Sequence, residues 1–304
     1  MNWFKVTIHL RFPTATPWQA DTIFGHLCWI VRYQDGEDAL RRFLKPFLNG
    51  EPSFLLSDGF PAGQLPRPLT FTIPDDDSLE GFRRNRQLRR MHFFMEEDFL
   101  RAITGEVFEP RAPRKDEERA TTRAVLKNQI NRLTGTTGAE GRLFGLIEYW
   151  TPQVTIYLKV HPSEEVQVER LFRALQVSGY GKRRSVGYGA IERLEFNHFG
   201  GFPTPQKVSG FVSLSGFVPA ENDPTEGHWR LVVKYGKLGE HLASSENPFK
   251  RPLVMLAPGS VFRDSPVREF YGRMVPDVSA LPGVIHYGYA LPVPLNIPEG
   301  VMPL

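Results

Sequence analysis

An α+β fold of the split β-α-β, ferredoxin-like kind is what the sequence predicts, followed by a β-rich second half. Three observations carry that expectation. Trp3 to Leu10 alternates, with Phe4, Val6, Ile8 and Leu10 on one face, as a half-buried strand requires. Glu164 to Val177 places Val168, Leu171, Phe172 and Leu175 at helical spacing. Beyond residue 205 strand patterns recur without a strong amphipathic helix.

The elements in between complete the first unit. Thr16 and Pro17 read as the cap and first turn of a helix near Trp18–Tyr33, whose apolar face is Ile23, Phe24, Leu27, Ile30 and Val31. Glu37–Leu48 is a shorter helix stopped by Asn49-Gly50, and Ser53–Leu56 has strand potential within a loop. Phe82–His92 is densely basic, through Arg83, Arg84, Arg86, Arg89 and Arg90, and fits either a phosphate-facing helix edge or a solvated face. Gly105–Gly141 is poor in apolar residues and rich in cations, among them Arg111, Arg114, Lys115, Arg119, Arg123, Lys127 and Arg132. A stretch of that length without a core stripe reads as a protruding insertion, either an ordered hairpin or a segment that orders on binding. Arg142–Trp150 and Gln153–Val160 are strands on either side of Thr151-Pro152. Ser163 is a fair N-cap for the next helix and Gly179 its stop, and Ala190–Phe196 is a short closing strand. The order β-α-(β, insertion)-β-α-β is that of ferredoxin-like and RNA-recognition folds, although the aromatic signature of classical RNA-recognition modules is missing.

At 304 residues the chain has room for two domains. Residues 1–200 form the first, with an insertion at about 80–141 and a glycine-rich loop at 179–189; residues 205–304 form the second, behind a linker at Gly200–Pro205. Strand candidates in the second are Val208–Val218, Trp229–Tyr235, Leu253–Ala257 and Val284–Leu291. A net charge of +3 is only mildly basic, so any nucleic-acid surface must be local. Cys28 is the only cysteine, which excludes an internal disulfide and a multi-cysteine zinc site. With no membrane-length apolar run and no signal peptide, the expected location is cytoplasmic.

The chemistry concentrates in Val177–Ala190. Gly179/Gly181 and Gly187/Gly189 bracket Lys182-Arg183-Arg184-Ser185. Glycines permit positive φ, so successive N–H groups can form an anion nest, and the cations add charge that suits phosphate. Tyr180 and Tyr188 fit either base stacking or packing beneath the loop. The spacing is not a dinucleotide fingerprint, because Arg184 stands where the third glycine belongs, nor a P-loop, because no lysine follows at Walker-type spacing. The reading is a cradle for a polyanion backbone, set against a solvated surface loop. Amides and hydroxyls at Asn128–Thr137 are possible base and backbone donors. His26, alone on its helix, is more readily structural than a general base.

Four motifs together resemble a known family, the RAMP superfamily as found in type III-A CRISPR effectors. Ala20-Asp21-Thr22-Ile23-Phe24-Gly25-His26-Leu27-Cys28 is similar to the S-D-T-L-F-x-x-L-C helix, with Ala20 in place of Ser. Leu56-Ser57-Asp58-Gly59-Phe60-Pro61 matches L-S-D-x-F-P. Arg132-Leu133-Thr134-Gly135 with Leu143-Phe144 resembles the stretch leading out of a thumb-like insertion. The glycine loop resembles G-x-G-G-x-R-S-x-G-x-G, Lys182 replacing one glycine. Lys250-Arg251-Pro252-Leu253 and Pro258–Phe262 resemble later blocks.

The resemblance implies two ferredoxin-like domains, the second degenerate, and a non-catalytic subunit needing neither cofactor nor metal. Such a subunit grips the repeat-derived 5′ handle of crRNA and joins a large polymerase/cyclase-like subunit to backbone subunits; target RNA is met only indirectly. The residues expected to bind RNA are Gly179, Gly181, Lys182, Arg183, Arg184, Ser185, Gly187, Gly189, Arg123, Lys127, Asn128, Arg132, Lys250 and Arg251. Three alternatives stay open. One is a RAMP endoribonuclease that matures crRNA, with His26 or His9 as base and Lys182 or Arg184 stabilising charge. Its glycine-rich loop normally lies close to the C-terminus, whereas here more than a hundred residues follow. The others are the equivalent type III-B subunit and a plain protein-interaction scaffold.

Overall fold

Alternation at the N-terminus produces the central strand. β1 (Asn2–Leu10) buries Phe4, Val6, Ile8 and Leu10, and lies between β8 (Gln153–Val160) and β9 (Ile191–His198), antiparallel to both. With β2 (Phe54–Leu56) beyond β8, the strand order is β2-β8-β1-β9, and β3 (Phe60–Pro61) also pairs with β8. Two helices cover this sheet, α1 (Ala20–Asp35) and α5 (Glu165–Ser178), each burying the apolar residues that its spacing predicts. That is the split β-α-β arrangement expected of the first two-thirds. The described residues are 1–71, 78–111, 120–128, 130–137 and 143–298 of a computed structural model.

Helix ends depart from the sequence reading where a distant residue supplies the cap. α1 begins at Ala20, not near Trp18, because Asp58 Oδ1 accepts the Ala20 N–H at 2.9 Å. Gln19, at the N-cap position, makes no side-chain cap. Before α5, Pro162–Glu164 forms a 3-10 turn in which the His161 side chain, not Ser163, accepts the capping N–H. Gly179 does stop α5, at φ 72° with its N–H on the Leu175 carbonyl.

The segment after α2 (Glu37–Leu48) is woven into the body. β4 (Gln64–Pro66) pairs with β5 (Phe93–Met95), preceded by α3 (Leu79–Arg90) and followed by α4 (Glu96–Ile103). Phe94, Phe99 and Ile103 are fully buried, so the expected insertion does not begin near residue 80. The arginines of α3 lie on a largely exposed face. What protrudes is a hairpin of β6 (Thr121–Asn128) and β7 (Leu143–Trp150), paired from Thr121↔Trp150 to Asn128↔Leu143. β7 and β8 flank Thr151-Pro152 yet belong to different sheets. Arg114, Lys115, Arg119 and Gly141 lie outside the described residues.

In the second half, β10 (Gly210–Ser213), β11 (Gly227–His228), β12 (Leu231–Lys234), β13 (Leu253–Leu256) and β14 (Val261–Arg263) precede β15 (Tyr271–Gly272), β16 (Tyr289–Ala290) and β17 (Pro292–Leu295). The main sheet runs β11-β14-β10-β17. β17 holds Pro292 and Pro294, and sits at the sheet edge, where a missing N–H is tolerated. Among the described residues this half contains no α-helix, only the 3-10 turn Glu240–Ser244, so the helix-covered pattern of the first sheet is not repeated. The architecture is mixed α and β, dominated by antiparallel pairing.

One core runs through both halves, from Val6 and Phe172 to Val212, Leu291 and Val293. Gly200–Pro205, expected as a linker, is an aromatic seam. Phe202 packs edge-on against Trp3 at 5.5 Å and against Phe199 at 5.2 Å, and is tilted over Tyr157 at 5.1 Å. Such pairs add about 0.5–1.5 kcal/mol each beyond area burial. Tyr289 donates to the Phe47 carbonyl at 2.6 Å, a second tie between the halves. No described helix is long and apolar enough to cross a membrane.

Candidate nucleic-acid interface

Where α5 stops, the chain turns into an arch whose shape depends on backbone that ordinary residues avoid. Gly179, Gly181, Gly187 and Gly189 have φ of 72°, 79°, 94° and 64°, and Arg183 joins them at 64°. The two legs touch: Tyr180 N–H donates to the Gly189 carbonyl at 3.0 Å, and a Cβ on Gly189 would stand 2.0 Å from the Tyr180 oxygen. Only glycine fits there.

The underside is fastened to α1 and to the segment before it. Tyr180 is fully buried, stacked on Trp18 at 3.7 Å, with its hydroxyl donating to the Pro17 carbonyl at 2.6 Å. Of its two possible roles the structure selects packing beneath the loop. Gly181 N–H donates to His26 Nε2 at 2.9 Å, Lys182 N–H to Thr16 Oγ1 at 3.1 Å, and Gly189 N–H to the Pro13 carbonyl at 2.9 Å. Burial, and then the Arg184 charge, push the His26 pKa down to about 4, so the ring is neutral and its lone pair serves the arch.

The nest is therefore smaller than the glycine pattern predicts, because most arch N–H groups are satisfied from within. Val186 and Gly187 N–H groups return to the carbonyls of Arg183 and Arg184. Arg183 is left-handed at φ 64° and is followed by the 3-10 turn Arg184–Val186, an alternation of the kind that builds anion concavities.

The cations divide into two groups. Lys182 and Arg183 are exposed on the crown beside Ser185, the Arg183 guanidinium lying 4.5 Å from the Phe144 ring of the hairpin. Arg184 instead turns inward and pairs with Glu240 of the second half, while its other nitrogen reaches the Ser178 carbonyl. In the hairpin, Arg123 bonds Glu148 at 2.7 Å and Lys127 bonds the same carboxylate at 3.3 Å. The Tyr188 hydroxyl bonds Glu148 as well, and these partners, Tyr188 foremost, hold its carboxyl below the usual range. Asn128 and Arg132 are exposed, at the last pair of the hairpin and in the turn beyond it.

Arch and hairpin thus share one surface, to which no described contact joins Lys250 or Arg251. Lys250 points inward: its Nζ donates to the Ile285 carbonyl at 2.9 Å, and burial pulls its pKa down. Arg251 is exposed and donates its N–H to the Val278 carbonyl at 2.6 Å. Sequence reasoning missed Thr16, Glu148 and Glu240 as partners of the cations and the arch. It read His26 as structural without finding what it holds. The order of the motifs held the missing signal: Asp58 caps the helix at Ala20, and that helix presents His26 to Gly181. Three separate motif blocks form one assembly.

No protein-family model matches the chain. The CRISPR system Cms protein Csm4 of Streptococcus thermophilus is 27% identical over 250 residues, spanning 74% of this chain and 74% of that one. A Csm1-Csm4 cassette in complex with pppApA contains a chain that superposes with a TM-score of 0.68 at 18% identity, covering 98% of this chain and all of that one. A Csm3-Csm4 subcomplex of the type III-A CRISPR-Cas interference complex contains another, at TM-score 0.63 and 12% identity, covering 97% and 100%. Over 74% of its length the chain is thus similar in sequence to a Csm4 protein, and over nearly all of it similar in fold to chains of Csm1-Csm4 and Csm3-Csm4 complexes.

Proposed function

We propose that this chain is the RNA-gripping subunit of a type III-A effector, joining a Csm1-like large subunit to a Csm3-like backbone subunit and holding the 5′ handle of crRNA. The observation that carries the RNA part is the crown of the arch. Lys182, Arg183 and Ser185 face solvent on a backbone that His26, Thr16 and Pro13 hold rigid. Phosphate contacts there fix register, while the hairpin polar groups at Asn128 and Arg132 stand beside the strand. Arg123 and Lys127 contribute through Glu148 by shaping the hairpin base. Lys250 supports the interior.

The role is non-catalytic. The maturation-enzyme reading needs a ring nitrogen free to take a proton. His26 spends Nε2 on Gly181, and His9 Nε2 lies 3.3 Å from Glu195 and 3.0 Å from Arg193. The two-domain division at 200–205, with the second half as a degenerate copy, belongs to this same proposal. Support is the first sheet's strand order and the chain-long match in fold. Co-expression with the neighbouring subunits of its own operon, purification and sequencing of bound RNA test it. The expected product is a complex whose RNAs share a repeat-derived 5′ end. Purification alone, or in RNA-free assemblies, overturns the reading.

A further inference from the structure

We infer that Phe12 is a stacking platform for one base of the single-stranded RNA whose phosphates lie on the arch. This rests on the RNA-binding reading above and adds a residue that no motif contains. Phe12 is 48% exposed although it is large and apolar. It is not on a loose loop. The Arg11 N–H donates to the Ala190 carbonyl at 3.0 Å, the Pro13 carbonyl accepts from Gly189, and Thr14 exchanges two backbone bonds with Tyr149 of the hairpin. The backbone is clamped on both sides of Phe12, so only the ring is left to order at binding.

Its surroundings select the partner. A Cβ placed on Gly187 would lie 4.0 Å from Phe12 Cδ2, so the ring stands directly beside the crown. The Arg11 guanidinium is 5.6 Å from the ring centre, and Lys182 and Arg183 are exposed on the neighbouring crown. An aromatic face set among cations fits a base attached to phosphate, since every base offers a π-face and the cations take the backbone. An apolar protein surface would instead have to desolvate those charges.

The test titrates the full chain with oligouridine of about ten nucleotides carrying one 2-aminopurine at successive positions. Fluorescence reports stacking, and the salt dependence reports phosphate contacts. Phe12→Ala and Phe12→Leu should weaken binding about five- to a hundredfold, and Phe12→Trp should not. The salt slope should stay at the wild-type value, and quenching at one position should vanish with Ala and Leu. Leu keeps the apolar bulk, so its failure identifies the ring. Unchanged affinity and quenching in Phe12→Ala overturn the inference, and leave the arch standing if a Lys182→Ala/Arg183→Ala variant still loses salt dependence. If that variant too behaves as wild type, the arch reading fails and Phe12 with it. Loss of co-purifying subunits in Phe12→Ala with RNA binding intact makes the ring a protein contact and also overturns the inference.

Discussion

The arch and the hairpin carry the same kinds of residue and use them in opposite ways. Both offer cations, glycines and hydroxyls to a reader of the sequence. In the hairpin Arg123 and Lys127 converge on Glu148, which is only 3% exposed, so their charge is largely spent within the protein. On the arch Lys182 and Arg183 face water, and only Arg184 is spent, on Glu240. The backbone differs as well. Hairpin Gly145 has open space where a Cβ would go, whereas Gly189 has a carbonyl at 2.0 Å. A count of basic residues therefore says little about free positive charge; the position of the nearest buried carboxylate decides it.

The sharpest way to break this comparison is one methyl group in each region. Gly189→Ala must move the Tyr180 carbonyl and hold φ near 64°, which should cost about 3 kcal/mol or more. Gly145→Ala should change stability by less than about 0.5 kcal/mol. Thermal denaturation of both variants measures the contrast. Equal melting temperatures would mean that the arch relaxes freely, and the rigid-cradle argument would be lost.

Next in size is the response to acid, which reaches the arch through His26. Burial lowers His26, and in the second half His286, whose Nδ1 is 3.9 Å from Asp21, to about 4, against about 6.5 unfolded. Their stabilisation is complete above pH 6.5 and is lost as pH falls toward 4, by about 3 kcal/mol each. Asp58 works the other way. Burial raises it to about 7, so its penalty, full above pH 7, is relieved as pH falls toward 4, by about 4 kcal/mol. Asp58 thus offsets part of the histidines' loss, whereas Asp21 and Glu148, both held below the ordinary carboxylate range, add to it as they take protons. His26→Gln keeps an acceptor for Gly181 N–H without titrating, so it should flatten the decline between pH 6.5 and 4. Urea unfolding at several pH values checks this; an unaltered pH profile would place the His26 proton elsewhere.

Those residues also show how far the sequence carries. β1, the stop of α5 at Gly179 and the first sheet's element order follow from local pattern, because burial periodicity and a left-handed stop are local facts. The start of α1 does not, since its cap is Asp58, and no local pattern at Ala20 announces a carboxylate 38 residues away. The direction of Lys250 was hidden for the same reason. It sits in a basic run, yet its neighbours are Asp21 and the Ile285 carbonyl. Phe12 was hidden differently: its own position shows only an exposed loop residue, and its meaning comes from Gly187.

Charge itself gives the third test. Replacing Lys182 and Arg183 with alanine removes about two phosphate contacts, so the salt slope for single-stranded RNA should become shallower by about 1.4. Glu148→Gln should act in the opposite sense, freeing hairpin cations and steepening the slope by up to about the same amount. Fluorescence anisotropy across salt concentrations measures both variants. A flat response to Glu148→Gln would mean that the hairpin cations already face RNA despite their carboxylate.

The smallest expected effect is the most discriminating, because it separates charge that is present from charge that is available. Lys127→Ala removes one formal cation, as Lys182→Ala does. The Lys127 ammonium, however, bonds Glu148 at 3.3 Å and lies 5.5 Å from the Tyr188 ring, so its loss leaves Glu148 still served by Arg123 and the Tyr188 hydroxyl. If Lys127 meets no phosphate, the salt slope should change by much less than the roughly 0.7 of one single-strand contact, and affinity should fall less than in Lys182→Ala. Combining Lys127→Ala with Glu148→Gln should cancel much of the steepening that Glu148→Gln produces alone, since one of the two released cations is then gone. Additive behaviour in that double variant would show that lysine and carboxylate act independently, and would remove the reason for ranking the arch above the hairpin.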